Sequence, residues 1–433
     1  MSQALRTYKP RQFSIRSQDG TKEIDITNSI LGIDYFEDIL DPVVNIAVSV
    51  INVNSIVSGL PIRGGEKVFI DIDCATGSFT RNTEDRAMYV YKVSGLESNR
   101  QAENFVLHLT TRENLTNETA RCTRKYSGKI SESVKTILTT VLATDNYMEK
   151  NIEDTANAYT FIGSMKKPFT ILTWLAPKSM AATAGSSDSS DTGSQNAEAT
   201  GTSGYLFYEN QDGYNFKSID GLVSELKQSE GSSDKKSIPR YLYSGKVIKE
   251  NSSDDKIIEF VFEKNIDLRK SLRIGMYSNV TFFYDAYSHE VNIYKYTLKE
   301  QIKDKTLSKD PLAISDEFGE SISRVLVRPS DNGIMNAGGG TSTSGRSPAD
   351  QAKSLARYNL LFTQALNILI PCNIKLKVGD IIYCQFPEMG QGGSKEIDKQ
   401  SSGYYLIREL RHHFSANQNT TSLKLMRDSY GVN

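Results

Sequence analysis

The chain has 433 residues, more than one ordinary hydrophobic core accommodates, so two to four domains are expected. Its 51 basic and 52 acidic residues nearly cancel, which argues against a nucleic-acid-binding surface held by net charge. No apolar run reaches the roughly 18 residues of a membrane span, and Met1–Pro10 has no apolar signal core, so secretion by that route is not expected.

Residues 1–11 are polar and read as an arm or an added edge strand. Gln12–Arg16 and Glu23–Thr27 alternate apolar and polar around the turn Ser17–Gly20, the pattern of a hairpin. Ile30–Leu40 reads as a strand that ends at Asp41-Pro42, and Val43–Ser55 as a long strand. After the Gly64-Gly65-Glu66 turn come Lys67–Asp73, a polar gap, Met88–Val93 and Asn104–Arg112. The period then changes. Ile130, Val134, Ile137, Leu138, Val141 and Leu142 form one helical stripe, with Ser131 the candidate N-cap and Asp145-Asn146 its end. Ala158–Ile162 is a candidate strand. Pro168 opens a short helix that carries the only Trp, Trp174, and that Pro177 stops; a core or subunit contact is the expected role of Trp174.

Ala181–Gly204 is rich in Ser, Gly, Ala, Thr and Asp and reads as an exposed loop. Gly204–Tyr208 and Tyr214–Ile219 flank Asn210–Gly213, the clearest hairpin in the chain. Strands follow at Leu242–Ile248, Ile257–Phe262, Tyr277–Asp285 and Glu290–Tyr296; Asp267–Gly275 gives no clear pattern. Residues 330–350 read as a second loop. Ser347–Asp350 caps a helix from Gln351 to about Asn359, and Leu360–Ile370 returns to strand. Asn367–Phe386, Gly403–Phe414 and Thr420–Asp428 then alternate as half-buried strands, with Lys377-Val-Gly-Asp380 a tight turn around Gly379.

The last stretch repeats the plan of the first. Gly65 to Arg112 spans 47 positions and Gly379 to Arg427 spans 48. Each unit runs strand, Gly turn, strand, polar gap, aromatic strand, hairpin, strand, and ends on a basic-acidic pair, Arg112-Glu113 or Arg427-Asp428. A diverged internal duplication accounts for this; chance agreement of two all-β units is the alternative.

Two such units at the ends of one chain, with a mixed insert between, resemble the central baseplate hub protein of contractile phage tails, a family related to the hub part of type VI secretion spike proteins. The resemblance lies in layout rather than in a short motif. It implies an α+β, β-rich fold with two tail-tube-like antiparallel β-barrel domains and mixed α/β inserts. The first barrel would take residues 1–113. A helix-containing insert would take 114–203, with its Ser/Gly-rich loop at 181–204. The second barrel would be discontinuous, 204–240 and 352–430, around a β-rich insertion at 241–351 whose loop is 330–350. The family's role would make the chain a homotrimer in a pseudo-sixfold ring. Its partners would be the tail tube protein, the spike protein and baseplate wedge proteins, with DNA passing through unread. It would reside in the virion baseplate after assembly in the host cytoplasm.

No catalytic, cofactor-binding or metal-binding residue is expected, and no cofactor. Of the four histidines, His108, His289, His412 and His413, the last two are strand neighbours that face opposite sides and cannot share a metal in the ordinary way, and His108 faces the polar side of its strand. None of the common nucleotide, esterase or zinc-protease motifs occurs. Lys125, Lys129 and Lys135, and Lys295, Lys299, Lys303 and Lys305, could form basic patches, but interleaved acids favour solvated faces. Glu37-Asp38, Asp71 with Asp73, Asp254-Asp255 and Asp316-Glu317 could serve a hydrolase, yet surface charge is the plainer reading. Cys74, Cys122, Cys372 and Cys384 read as free thiols; a Cys372–Cys384 cross-link is conceivable and disfavoured. The 22 Tyr and 17 Phe, concentrated in strands, suit subunit interfaces and favour an assembly protein. A carbohydrate-binding tail or receptor-binding protein is the alternative, and a lytic peptidoglycan hydrolase the third reading.

Overall fold

The computed structural model describes residues 8–52, 60, 62–98, 103–156, 158–181, 204–224, 238–243, 255–263, 267–284, 289, 291–298, 307, 314–329, 347–388, 397–416, 418–429 and 431. The first strands are β1 (Tyr8–Arg16), β2 (Glu23–Asp25), β3 (Ile30–Asp38), β4 (Asn45–Asn52), β5 (Lys67–Cys74), β6 (Gly77–Arg81), β7 (Met88–Ser98) and β8 (Glu103–Thr110). The middle of the chain supplies β9 (Lys125–Tyr126), β10 (Tyr147–Ile152), β11 (Phe161–Ile162), β12 (Tyr205–Asn210), β13 (Gly213–Ser218), β14 (Arg240–Leu242), β15 (Glu259–Glu263), β16 (Ser278–Tyr284), β17 (Val291–Thr297) and β18 (Val325–Pro329). The end supplies β19 (Gln364–Pro371), β20 (Ile381–Gln385), β21 (Gly403–Ser415) and β22 (Thr420–Arg427). The sequence pattern missed β6, β9, β10 and β18, the helix Arg112–Thr119 that follows the first unit, and the short helix Asp316–Gly319.

Fourteen strands form one sheet in the order β15-β19-β22-β21-β3-β4-β8-β7-β5-β1-β2, with β6 on β5, and β20 between β21 and β14. The fold is β-rich, as expected. The two barrels are not seen as separate closed bodies: both end units share this sheet, and no sheet closes into a barrel among the described residues. Alternation sets the faces. In β3, Ile33 and Tyr35 are 1% exposed and enter the core, while the neighbouring Phe36 is 37% exposed. One apolar cluster runs through both units, from Phe13 and Val48 to Ile382 and Leu425.

The insert has its own cluster, built on Ile130, Val134, Leu138, Phe169 and Leu172. Its helical stripe forms as read, but Ile130–Thr136 is α-helix and Ile137–Val141 a π-turn. There the hydroxyls of Thr139 and Thr140 hydrogen-bond back to the carbonyls of Lys135 and Thr136, which loosens the regular ladder. Ser131 is not the N-cap. Lys129 holds that position, and Ser131 is buried against Thr155.

The hairpin β12–β13 forms, but it is not a strand pair of the second unit as assigned from sequence. It pairs with β10 in a separate three-stranded sheet. Every residue of β12 is buried. Leu206 and Tyr208 join the main cluster, while Tyr205 and Phe207 join the insert cluster. This strand is therefore the shared wall of two cores, which explains why Tyr205–Tyr208 are apolar or aromatic on both faces. Trp174 is 38% exposed, edge-on to Tyr159 and Phe161, with the Lys178 ammonium 4.5 Å above its ring. Among the described residues no helix is long and apolar enough to cross a membrane. The expected loops at 181–204 and 330–350 fall largely outside the described residues, as do the arm at residues 1–7 and the strand expected at 244–248.

Candidate assembly interface

The two end units match strand for strand. In the first, β4 pairs with β8, β8 with β7 and β7 with β5; in the second, β19 pairs with β22, β22 with β21 and β21 with β20, all antiparallel. A fifth strand precedes each set: β3 lies on β4, and β15 on β19. One irregularity coincides, while a second in β7, between Ser94 and Glu97, has no counterpart in β21. β7 has a bulge between Val90 and Lys92, and β21 has one between Ile407 and Glu409.

The glycine turns show the same repetition in atomic detail. Gly65 (φ 93°) and Gly379 (φ 91°) both occupy the left-handed region. Gly65 N–H donates to the Val90 carbonyl, and Val90 N–H returns to Glu66; Gly379 N–H donates to Ile407, and Ile407 N–H returns to Asp380. The acid after each glycine closes its own turn. Glu66 accepts from the Arg63 N–H at 2.8 Å, and Asp380 from the Lys377 N–H at 3.0 Å. Register places Val90 with Ile407, Leu109 with Leu425, Ile46 with Leu366, and Tyr35 with Phe262.

The units meet side by side where the second half of β21 pairs with β3, from Glu409↔Asp38 to Ser415↔Gly32. Across this joint Asp34 accepts from Arg411 Nε at 2.9 Å and lies 2.7 Å from His413 Nδ1. The Arg411 guanidinium sits 5.7 Å from the centre of the Phe36 ring. Beneath the joint the buried Glu37 takes the Tyr35 hydroxyl at 2.6 Å and the Val378 N–H at 2.9 Å, so it ties β3 to the glycine turn of the other unit. Burial raises the Glu37 carboxyl above the usual range, opposed by these hydrogen bonds. A cavity of about 650 Å³ opens along the joint face, lined among others by Phe36, Asp38, Val261, Asn367, Arg411 and Lys424.

Two buried polar clusters fasten the units to the inserts. Arg357, on the helix Ser347–Leu360, reaches Asp220 at 2.9 Å and Asp428 at 2.7 Å, with all three side chains at most 10% exposed. Glu209 at the end of β12 accepts from Thr111 at 3.2 Å, and burial pushes its carboxyl up to about 8. The basic-acidic pairs that close the units are placed alike but serve differently. Asp428 is buried on Arg357, and Arg427 is fully buried against Tyr405, whereas Arg112 is exposed and Glu113 takes the Thr144 hydroxyl.

All four cysteines are free. The partner of Cys372 is Cys74 across the two units, not Cys384; hydrogen bonds from Cys74 and His412 pull the Cys372 thiol down, while Cys74 is pushed up. His412 is buried and His413 half-buried on the other face, as the alternation required. His108 is half-buried and meets the Ser94 hydroxyl at 2.7 Å. Glu37 and Asp38 diverge to opposite faces. Asp71 binds Thr80, and Asp73 pairs with Arg11. Among the described residues no three of His, Cys, Asp or Glu gather as a metal site.

No protein-family model matches the chain, and no curated protein matches it in sequence. Solved structures match its fold. The tail protein from Neisseria meningitidis MC58 aligns over 97% of this chain and 97% of its own, with a TM-score of 0.53 and 12% identity. The 43 kDa tail protein of prophage MuSo2 from Shewanella oneidensis aligns over 98% of this chain and all (100%) of its own, at 0.55 and 9%. Prophage tail protein gp18 from Listeria monocytogenes EGD-e aligns over 96% and 95%, at 0.47 and 11%. What this chain shares with the first two is the fold, over essentially its whole length.

Proposed function

We propose that this chain is a structural subunit of a contractile phage-type tail, the baseplate central hub that joins a sixfold tail tube to a threefold spike. The supporting observation is the pair of equivalent units held side by side through β3 and β21. Three copies with two units each offer six near-equivalent faces to a sixfold partner, while the inserts keep threefold symmetry for the spike. Tube-like closure belongs to the ring in this reading: each unit contributes an open arc of strands, and neighbouring arcs complete the wall. The fold shared with two tail proteins supports the setting.

The partners are the tail tube protein, the spike protein and baseplate wedge proteins, with DNA passing through the bore during ejection. A nearly neutral chain suits such passage, because phosphate contacts along the wall would hold the DNA. The role is structural rather than catalytic, and the place is the virion baseplate, reached after assembly in the host cytoplasm. Light scattering on the purified protein, with electron-microscope class averages, tests the reading. The expected particle is three chains around a central hole. A single chain that persists at high concentration and with the spike protein added refutes it.

A further inference from the structure

The internal repeat leaves two strand edges whose counterparts are joined within the chain. The joint uses the fifth strand of the first unit, β3, and the bulged strand of the second, β21. The corresponding elements left over are β15, which ends the strand order of the sheet, and β7 beyond its bulge, which has no strand beside it on that edge among the described residues. Exposed strand edges carry unmet backbone donors and acceptors and pair with another chain unless something covers them. Val261 on β15 stands at the register position of Asp34 on β3. Asp34 is covered by β21, whereas Val261 is 62% exposed, an apolar side chain on the last strand of the sheet among the described residues.

We infer that β15 of one copy pairs antiparallel with β7 of a second copy of this chain, repeating the β3–β21 joint. The register follows from the repeat. Phe36 lies opposite Arg411 in the joint; Glu263 takes the position of Phe36 and Ser94 that of Arg411, so Ser94 of one copy faces Glu263 of the next. The contact is head-to-tail, and head-to-tail contacts propagate until they close on themselves. It differs from the internal joint in chemistry. The Asp34–Arg411–His413 group has no counterpart, since valine and serine occupy two of those positions. Main-chain bonds and apolar cover then hold the copies together, and the contact is correspondingly insensitive to salt. This inference rests on the homo-oligomer of the proposed function and adds to it which edges meet.

The test mixes chains carrying Ser94→Cys with chains carrying Glu263→Cys and adds a short bismaleimide linker. A second mixture pairs Ser94→Cys with Glu259→Cys, four residues away and roughly 13 Å along the strand. The expected result is a covalent dimer from the first mixture and none from the second. Val261→Lys, which places a charge on the β15 edge, is expected to reduce the oligomer to single chains while the circular dichroism stays that of the parent. An oligomer by light scattering with no 94–263 product, or with equal product from both mixtures, overturns this joint and leaves the oligomer standing. Single chains by light scattering, with no product from either mixture, overturn both.

Discussion

Gly379→Ala and Gly65→Ala change the same turn in the two units, so their difference isolates what lies beside each turn. Both residues have φ near +90°, where an added Cβ costs about 1–3 kcal/mol of backbone strain. At Gly65 the nearest atoms to the new Cβ belong to the end of the exposed Gln18 side chain, 3.0 Å away, which can shift at the cost of its solvent-exposed hydrogen bond to the Gly64 carbonyl. At Gly379 it would strike the hydroxyl of Tyr208 and approach Cζ at 3.1 Å. Tyr208 is 1% exposed, on a strand shared by two cores, and overpacking such a site adds about 1–3 kcal/mol. Gly65→Ala is therefore expected to cost about 1–3 kcal/mol and Gly379→Ala about 2–6 kcal/mol, the sums of these terms. Urea titration followed by far-ultraviolet circular dichroism reads the difference, provided the slopes agree with the parent. Tyr208→Phe removes the struck oxygen, so the cycle with Gly379→Ala is expected to show favourable coupling. Equal costs at the two glycines, or no coupling to Tyr208, would refute the steric argument.

Arg357→Met leaves Asp220 and Asp428 facing each other with no cation between them, and about 3–5 kcal/mol of stability is expected to be lost; a urea midpoint unchanged from the parent would refute it. Asp34→Asn removes a half-exposed charge from the β3–β21 joint and is expected to cost under about 1 kcal/mol; a larger loss would mean that charge rather than the ladder holds the units. Glu209 keeps its proton to about pH 8 when folded but loses it near 4.5 when unfolded. The folded chain thus binds more protons in that window, and this residue's contribution to stability falls as pH rises through it, by at most about 1.4 kcal/mol per unit. Glu209→Gln is expected to flatten the decline between pH 5 and 8, measured by urea midpoints across that range; an unchanged slope would assign the decline to other groups.

Local conformation was legible in the sequence because it is settled within a few residues. Alternation gave β3, β4, β19 and β22, since a half-buried strand must place every second side chain in the core. Gly65 and Gly379 marked their turns because only glycine accepts that φ cheaply, and Pro168 opened its helix where no N–H was needed. Tertiary structure decided the rest. It put β12 between two cores, so that a strand read as part of the second unit became the wall of the insert. It brought the free thiols of Cys74 and Cys372 together and buried Glu209, neither of which has a local signal. Above all it set β3 against β21, some 377 residues apart at Asp34 and Arg411. Strand edges recognise one another through backbone N–H and C=O groups that every non-proline residue carries alike. No side-chain pattern therefore announces which edge meets which, and the fold as a whole chooses.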